Sequence, residues 1–315
     1  MKQINVVKNQ NIFFLISIVI IAIGLLFLVF GGINLDIQFS GGTRILIETN
    51  GEVDSNKAEE LVEKAIGKSV TAQTQKTNNP ASENETIYML RLDIASEETL
   101  STEERDLVVD LITENFDVKE GGNQEMLSVE PSIGRETLLN GLKAVLIASV
   151  LIILYVTWRF STMHGFAAAI TAIIALIHDV AITFTLYPIF KYPLGEVFIT
   201  AALTIIGYSL NNTIVIYDRI RENFKLMRKS TPDEIVNTSI SQSLTRTINS
   251  TVTTLIAVVT LYISASVSNI SSLKEFSLPL IIGLVAGTYS SLFIAGPLWL
   301  TWRKRASMKR ALKKA

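Results

Sequence analysis

Six apolar runs dominate this chain: about 11–32, 138–158, 163–187, 197–217, 247–266 and 276–302. Each is near the ~20 residues that a helix needs to cross a hydrocarbon core. They predict a polytopic α-helical membrane protein with six transmembrane helices. The last run is long enough to include tilt or an interfacial end. The first has basic flanks, Lys2 and Lys8, but it is too long for a signal-peptide core and no clear A-x-A site follows it. It therefore reads as a permanent span.

Charge is partitioned along the chain. Residues 33–137 hold 22 acidic and 9 basic residues, a net of −13, whereas 218–246 and the tail 303–315 are basic. By the positive-inside rule the basic segments face the cytoplasm. With six spans this predicts a cytoplasmic N-terminus at 1–10, helix 1 at 11–32 and an extracytoplasmic domain at 33–137. A five-helix bundle at 138–302 follows, with a cytoplasmic loop at 218–246, and then the cytoplasmic tail at 303–315. Only Lys191 and Lys274 add positive charge to the two short outer loops.

The outer segment reads as alternating units. Strands are predicted at 43–49, 69–76, 86–93 and 125–130, the last ended by Pro131. A helix at 54–67 places Ala58, Leu61, Val62 and Ala65 on one face. A second, with Ser101 and Glu104 at capping-box spacing, aligns Leu107, Val108, Leu111 and Ile112. A polar turn is expected at Asn78, Asn79 and Pro80, with Ser82, Glu83 and Asn84. The order β-α-β-β-α-β is the split βαβ, ferredoxin-like pattern. With no cysteine in the chain, such a domain must rest on its own core. Thiol catalysis and cysteine metal sites are excluded, and two histidines are too few for a histidine-rich metal site.

Polar groups inside an apolar span are expensive and mark a pathway or a contact. Asp179 is the one carboxylate well inside a span, about 24 Å along it from the inner end at 1.5 Å per residue. It reads as an ion-coupling group, or as a protonated acid that bonds a neighbouring helix. His178 could share its site, although consecutive side chains diverge by 100° on a helix. Asn211 and Asn212, in span four, can form a pathway or interhelical glue, but an amide does not titrate near neutral pH. Gly207 and Ser209 there permit close helix approach. Arg246 opens span five as a snorkelling cation or as one that faces Asn212. Around it, hydroxyl residues at 245, 247, 250, 251, 253 and 254 make a polar stripe.

The end of span four carries Asp218, Arg219, Arg221 and Glu222, and Asp218 shares a helical face with Arg221 or Glu222. Solvated charge is one reading, and docking to another protein is the other. An amphipathic pattern from Pro232 through Leu244 reads as a helix along the inner surface or a simple connector. Between span one and the outer domain lies Leu35 to Thr43, whose two glycines permit backbone that other residues could not follow. No HExxH, G-x-S-x-G, P-loop lysine or paired GxGD occurs, so no enzyme is expected, and any work must be driven by something other than nucleotide bound to this chain.

Four segments carry a resemblance: DIQFSGGT (Asp36, Gly41, Gly42 and Thr43 among them), His178-Asp179-Val180, GYSLNNTIVIYDRIREN, and SLTRTINS around Arg246. With the layout of one span, an outer domain and five spans, they resemble the SecF family. Its members are the smaller subunits of the SecD–SecF protein-export complex, within the resistance–nodulation–division transporter group. The resemblance implies a SecD-like partner, the SecYEG channel and unfolded preprotein as a client. It implies no cofactor, and coupling to an ion gradient of protons or sodium across the bilayer; nucleic acid is not expected. One departure stands out. The family usually reads S-[IL]-N-D where this chain has Ser209-Leu210-Asn211-Asn212, so a proton relay cannot use position 212. A partner's carboxylate could carry coupling, Asp179 could titrate instead, or the subunit could be structural or bind a metal cation. A self-contained small-molecule exporter would need a titratable pair and has only Asp179. A receptor would need a cytoplasmic output domain.

Overall fold

The computed structural model describes residues 5–32, 35–78, 86–96, 99–190, 192–268 and 270–312. The turn expected at Asn79 to Asn84, Lys2 and Lys191 lie outside them. Helix α1 (Gln10–Gly31) leads through a single-turn helix α2 (Ile37–Ser40) into β1 (Gly42–Thr49), α3 (Ser55–Ile66), β2 (Val70–Asn78), β3 (Thr86–Ala95), α4 (Thr102–Asn115) and β4 (Gln124–Val129). The strands form one sheet in the order β2-β3-β1-β4, every neighbouring pair antiparallel.

Alternation along the strands separates two faces. Ile45 and Ile47 of β1 pair with Leu92 and Leu90 of β3. Together with Val70 and Ala72 of β2 they pack against Ala58 and Val62 of α3 and Val108 and Ile112 of α4. Each such side chain contributes roughly 1.5–3 kcal/mol when fully buried. The apolar face of α4 is narrower than its spacing predicts, because Leu107 stays exposed. Its start is as expected: the Ser101–Glu104 capping box forms. The opposite register positions, Arg44 across from Asp93 and Leu46 across from Arg91, fall on the other face.

The chain continues through α5 (Pro131–Arg159), α6 (Gly165–Leu186), α7 (Glu196–Leu226), α8 (Pro232–Val267) and α9 (Ser271–Ser290). A π-helical turn (Ser291–Ala295) then joins α9 to α10 (Gly296–Leu312). Among the described residues six helices are long and apolar enough to cross a membrane: Gln10–Phe30, Pro131–Arg159, Gly165–Phe190, Glu196–Leu226, Pro232–Val267 and Ser271–Met308. The spans Gly165–Phe190, Glu196–Leu226 and Ser271–Met308 are the most buried and form the bundle's centre, while α1, α5 and α8 are peripheral.

One boundary differs from expectation. The loop is shorter than 218–246: α7 runs on to Leu226, α8 begins at Pro232 with a Thr231–Glu234 capping box, and only 227–231 join them. The amphipathic segment at 232–244 is the first part of that long helix. Its Ile235, Val236 and Ile240 are buried against the bundle, which is why it continues the span instead of lying apart.

Candidate functional site

Asp179 sits on α6 with no exposed surface. A carboxyl buried this way must be solvated by the protein itself. Its Oδ2 accepts hydrogen bonds from Ser209 Oγ of α7 (2.5 Å) and Ser290 Oγ of α9 (2.9 Å). Its Oδ1 lies 2.9 Å from Nδ1 of His178, so the imidazole reaches back around the helix despite the 100° offset. His178 Nε2 is 2.9 Å from Ser17 Oγ on α1. Four helices thus meet at one carboxyl. The approach is set by glycine: a Cβ on Gly287 of α9 would stand 2.9 Å from Ser209 Cβ and 3.5 Å from Asp179 Oδ2. Gly207, by contrast, has nothing within 4 Å of where a Cβ would stand, among the described residues. The connectivity Ser17–His178–Asp179 follows the order of a hydrolase triad. Ser17, however, is buried in the helix contact, and two serines hold the other carboxylate oxygen. The arrangement orients hydrogen bonds and presents no open nucleophile.

Asn212 lies one turn beyond Ser209 on the buried face of α7, and its Nδ2 has no hydrogen-bond partner among the described residues. Beside it, Thr213 Oγ1 meets Ser291 Oγ at 2.9 Å, and Ser291 donates to the Ser209 carbonyl. Asn211 points to the exposed side. Arg246 does not face Asn212. It is on the exposed side of α8, whereas its neighbour Thr247, 100° around the helix, is the buried residue. The hydroxyl stripe divides in the same way: Thr247 and Thr251 are buried, and Thr251 meets Thr288 of α9 at 2.7 Å. Thr253 and Thr254 bond their own helix's carbonyls.

The cluster at the end of span four is engaged within the chain. Asp218 pairs with Arg221 (2.8 Å) and with Arg159 of α5 (2.9 Å), and Arg219 pairs with Glu222. These pairs account for the opposite charges at the helix exit that suggested docking. The four residues, with Lys225, Gln242, Ser243 and Arg246, line a groove of about 510 Å³ between α7 and α8.

Asp36 caps α2, its Oδ1 accepting from Gln38 N. Gly41 and Gly42 follow with φ of +75° and +133°. A Cβ on Gly41 would stand 2.6 Å from Pro131 Cα, so a glycine lets the sheet's first strand pass the start of α5. Thr43 Oγ1 lies 3.2 Å from Ser128 Oγ of β4. Sequence reasoning overlooked the partners of Asp36, Arg44 and Arg91 on the sheet, and the further carboxylates that Arg91 holds, Asp93 of β3 and Glu275 of α9. It also missed Ser17, Ser290 and Gly287. The spacing of Gly283 and Gly287, one turn apart in an apolar span, is the signal that marks α9 as a close-packing helix.

Fold and site together define a class: a multi-pass α-helical membrane protein that carries a small antiparallel sheet and a carboxyl held at the centre of its bundle. A family profile described as protein export membrane protein SecD/SecF, C-terminal, matches residues 109–305. The protein translocase subunit SecF of Alicyclobacillus acidocaldarius is 33% identical over 98% of this chain and 96% of its own length. That of Borreliella burgdorferi is 33% identical over 96% and 99%. The SecDF subunit of Bacillus subtilis is 34% identical over 96% of this chain, which spans 38% of that longer protein. Among solved structures, SecDF of Thermus thermophilus, described as a translocon-associated membrane protein, aligns with a TM-score of 0.76 and 28% identity. The alignment covers 96% of this chain and 39% of that one. The chain belongs to the SecD/SecF family of protein-export membrane proteins, on its SecF side.

Proposed function

We propose that this chain is the SecF-type accessory subunit of a Sec protein translocase. It works beside a SecD-like partner and the SecYEG channel, and uses an ion gradient to help complete export of unfolded preproteins. The observation that carries this reading is likeness over nearly the whole chain to proteins called protein translocase subunit SecF. The SecDF relative, more than twice as long, supports a second polypeptide of SecD type as the partner.

The charge partition supports an orientation in a bacterial-type cytoplasmic membrane. Residues 33–137 form a ferredoxin-like domain outside, and both termini and the basic tip of the α7–α8 hairpin lie inside. The chain acts by changing the pose of its outer domain, with no covalent chemistry of its own. Asp179, beside His178, is the group in this subunit that can gain and lose a proton or meet a sodium ion; Asn212 cannot titrate. A charge crossing 100 mV supplies about 2.3 kcal/mol, so a few ions suffice to shift a two-state pose.

The exposed face of α7 and α8 is the partner surface. Thr204, Gly207, Asn211, Asn249, Ser250 and Thr253 are exposed there, along helices that should otherwise face lipid. A second helical bundle would cover them and bring a carboxylate towards Arg246. The test is depletion of this protein in its host, followed by pulse-labelling of an exported preprotein. Maturation should slow, and re-expression of the wild-type chain should restore it. Unchanged export kinetics after depletion would overturn the reading.

A further inference from the structure

Five charged side chains, each at most 15% exposed, meet where the sheet joins the bundle. Arg44 Nη2 and Arg91 Nη2 both reach Asp36 Oδ2, at 2.7 and 3.0 Å. The same two guanidinium groups hold Asp93 at 2.5 and 2.6 Å. Arg91 then extends Nη1 to Glu275 Oε1 on the first turns of α9, 3.2 Å away. The Glu275 carbonyl accepts from Tyr187 OH, so the start of α9 is held on a second side. In a buried cluster with two cations and three anions, every pair depends on its geometry, because a charge left unpaired there is costly.

We infer that Glu275 is a positioning residue for the Asp179 site: it latches α9 to the sheet, so that α9 transmits displacement between the two. The helix has a fixed point at each end. Fifteen residues beyond Glu275, about 22 Å along an α-helix, Ser290 donates to Asp179 and Ser291 to the Ser209 carbonyl. Between them, Gly283 packs on Ile205 and Gly287 on Ser209, which leaves α9 lying directly against α7. The π-helical turn begins at Ser291, immediately after the contact with Asp179. Such a turn holds an extra residue within a helix and can absorb a change of register. A shift of α9 at Asp179 is therefore taken up on the α10 side by the π turn, and passed on the other side, through Glu275 and Arg91, to β3. This inference rests on Asp179 being the coupling group.

The chain has no cysteine, so Glu60→Cys on α3 and Leu142→Cys on α5 give two specific spin-label positions. Label-to-label distances are measured by pulsed electron paramagnetic resonance on the full chain, reconstituted with its partner in lipid bilayers. Asp179→Asn should move the distance distribution. Adding Glu275→Gln should abolish that response, and adding Glu275→Asp should retain part of it. Arg91→Lys, which keeps the charge but loses the forked geometry, serves if Glu275→Gln fails to fold, and should also abolish it. A full response in the Glu275→Gln or Arg91→Lys background overturns the latch, as does an Asp179→Asn chain whose distances do not move. The export assay is separate: normal export without the chain would defeat the functional reading whatever the labels report. Defective export of Asp179→Asn with a full response in Glu275→Gln would defeat the latch alone.

Discussion

A carboxyl at position 179 has no bulk water to draw on, and two serines and a histidine take that role. Replacing Asp179 by Asn keeps the shape but removes the group that can change charge. Export by Asp179→Asn should fall roughly tenfold, as for a loss of about 1.4 kcal/mol. Asn212→Ala removes an amide whose Nδ2 has no partner among the described residues and should alter export less than twofold; Asn212→Asp should be accepted. Pulse-chase rates of one preprotein in the three variants check this, and equal rates in Asp179→Asn and Asn212→Ala would refute it. Asp179 was legible in the sequence because an acid within an apolar run is costly and rare. Ser209 was noticed only for its small size, and Ser290 not at all, because serine is ordinary in helices. Only the packing of α6, α7 and α9 turns them into ligands of one carboxyl. Of the two readings of Arg246, its exposed position on α8 favours the snorkelling cation; the sequence left the choice open because the face a residue occupies depends on which side of that helix the bundle covers.

At the scale of elements, the sheet domain was readable almost strand by strand, since its alternation and caps are local signals. The α7–α8 hairpin was not, because charge in a sequence cannot distinguish a loop from a helix that emerges from the bundle. The Ser101–Glu104 capping box gives the best-defined local prediction. Glu104 accepts from Lys68 Nζ at 2.6 Å and from the Ser101 backbone N–H at 3.0 Å. The Lys68 hydrogen bond first, and then that of Ser101, hold its carboxyl below the usual carboxylate range. A carboxylate depressed on folding contributes stability above its unfolded pKa, and that contribution is lost as pH falls through the folded value. Glu104→Gln should therefore be less stable than wild type at neutral pH, and the gap should close on acidification. Ser101→Ala should cost about 1 kcal/mol with a weaker dependence on pH. Thermal unfolding of the full chain in detergent, read at several pH values, measures both. A gap that widens in acid would contradict the capping geometry.

For the whole molecule, the decisive asymmetry is lateral. The hydroxyls of Thr204, Thr253 and Thr254 are satisfied by carbonyls of their own helices and can face lipid at modest cost. Asn211 on α7 and Asn249 on the adjoining α8 have no side-chain hydrogen bond among the described residues and stand exposed. Amides in that position gain most from a neighbouring polypeptide. An interhelical hydrogen bond of this kind contributes about 0.6 kcal/mol on average and up to about 1.7. Replacing both residues by leucine should therefore weaken association with the SecD-like partner by roughly tenfold, while the Asp179 cluster, on the opposite side of α7, stays intact. Titrating the labelled partner into the reconstituted chain gives the affinity, and α-helical content monitors the fold. If the double leucine variant binds as tightly as wild type, the partner covers another flank. The peripheral face of α5, apolar from Leu139 to Leu154 and exposed, would then be the surface to test next, because no helix among the described residues shields it.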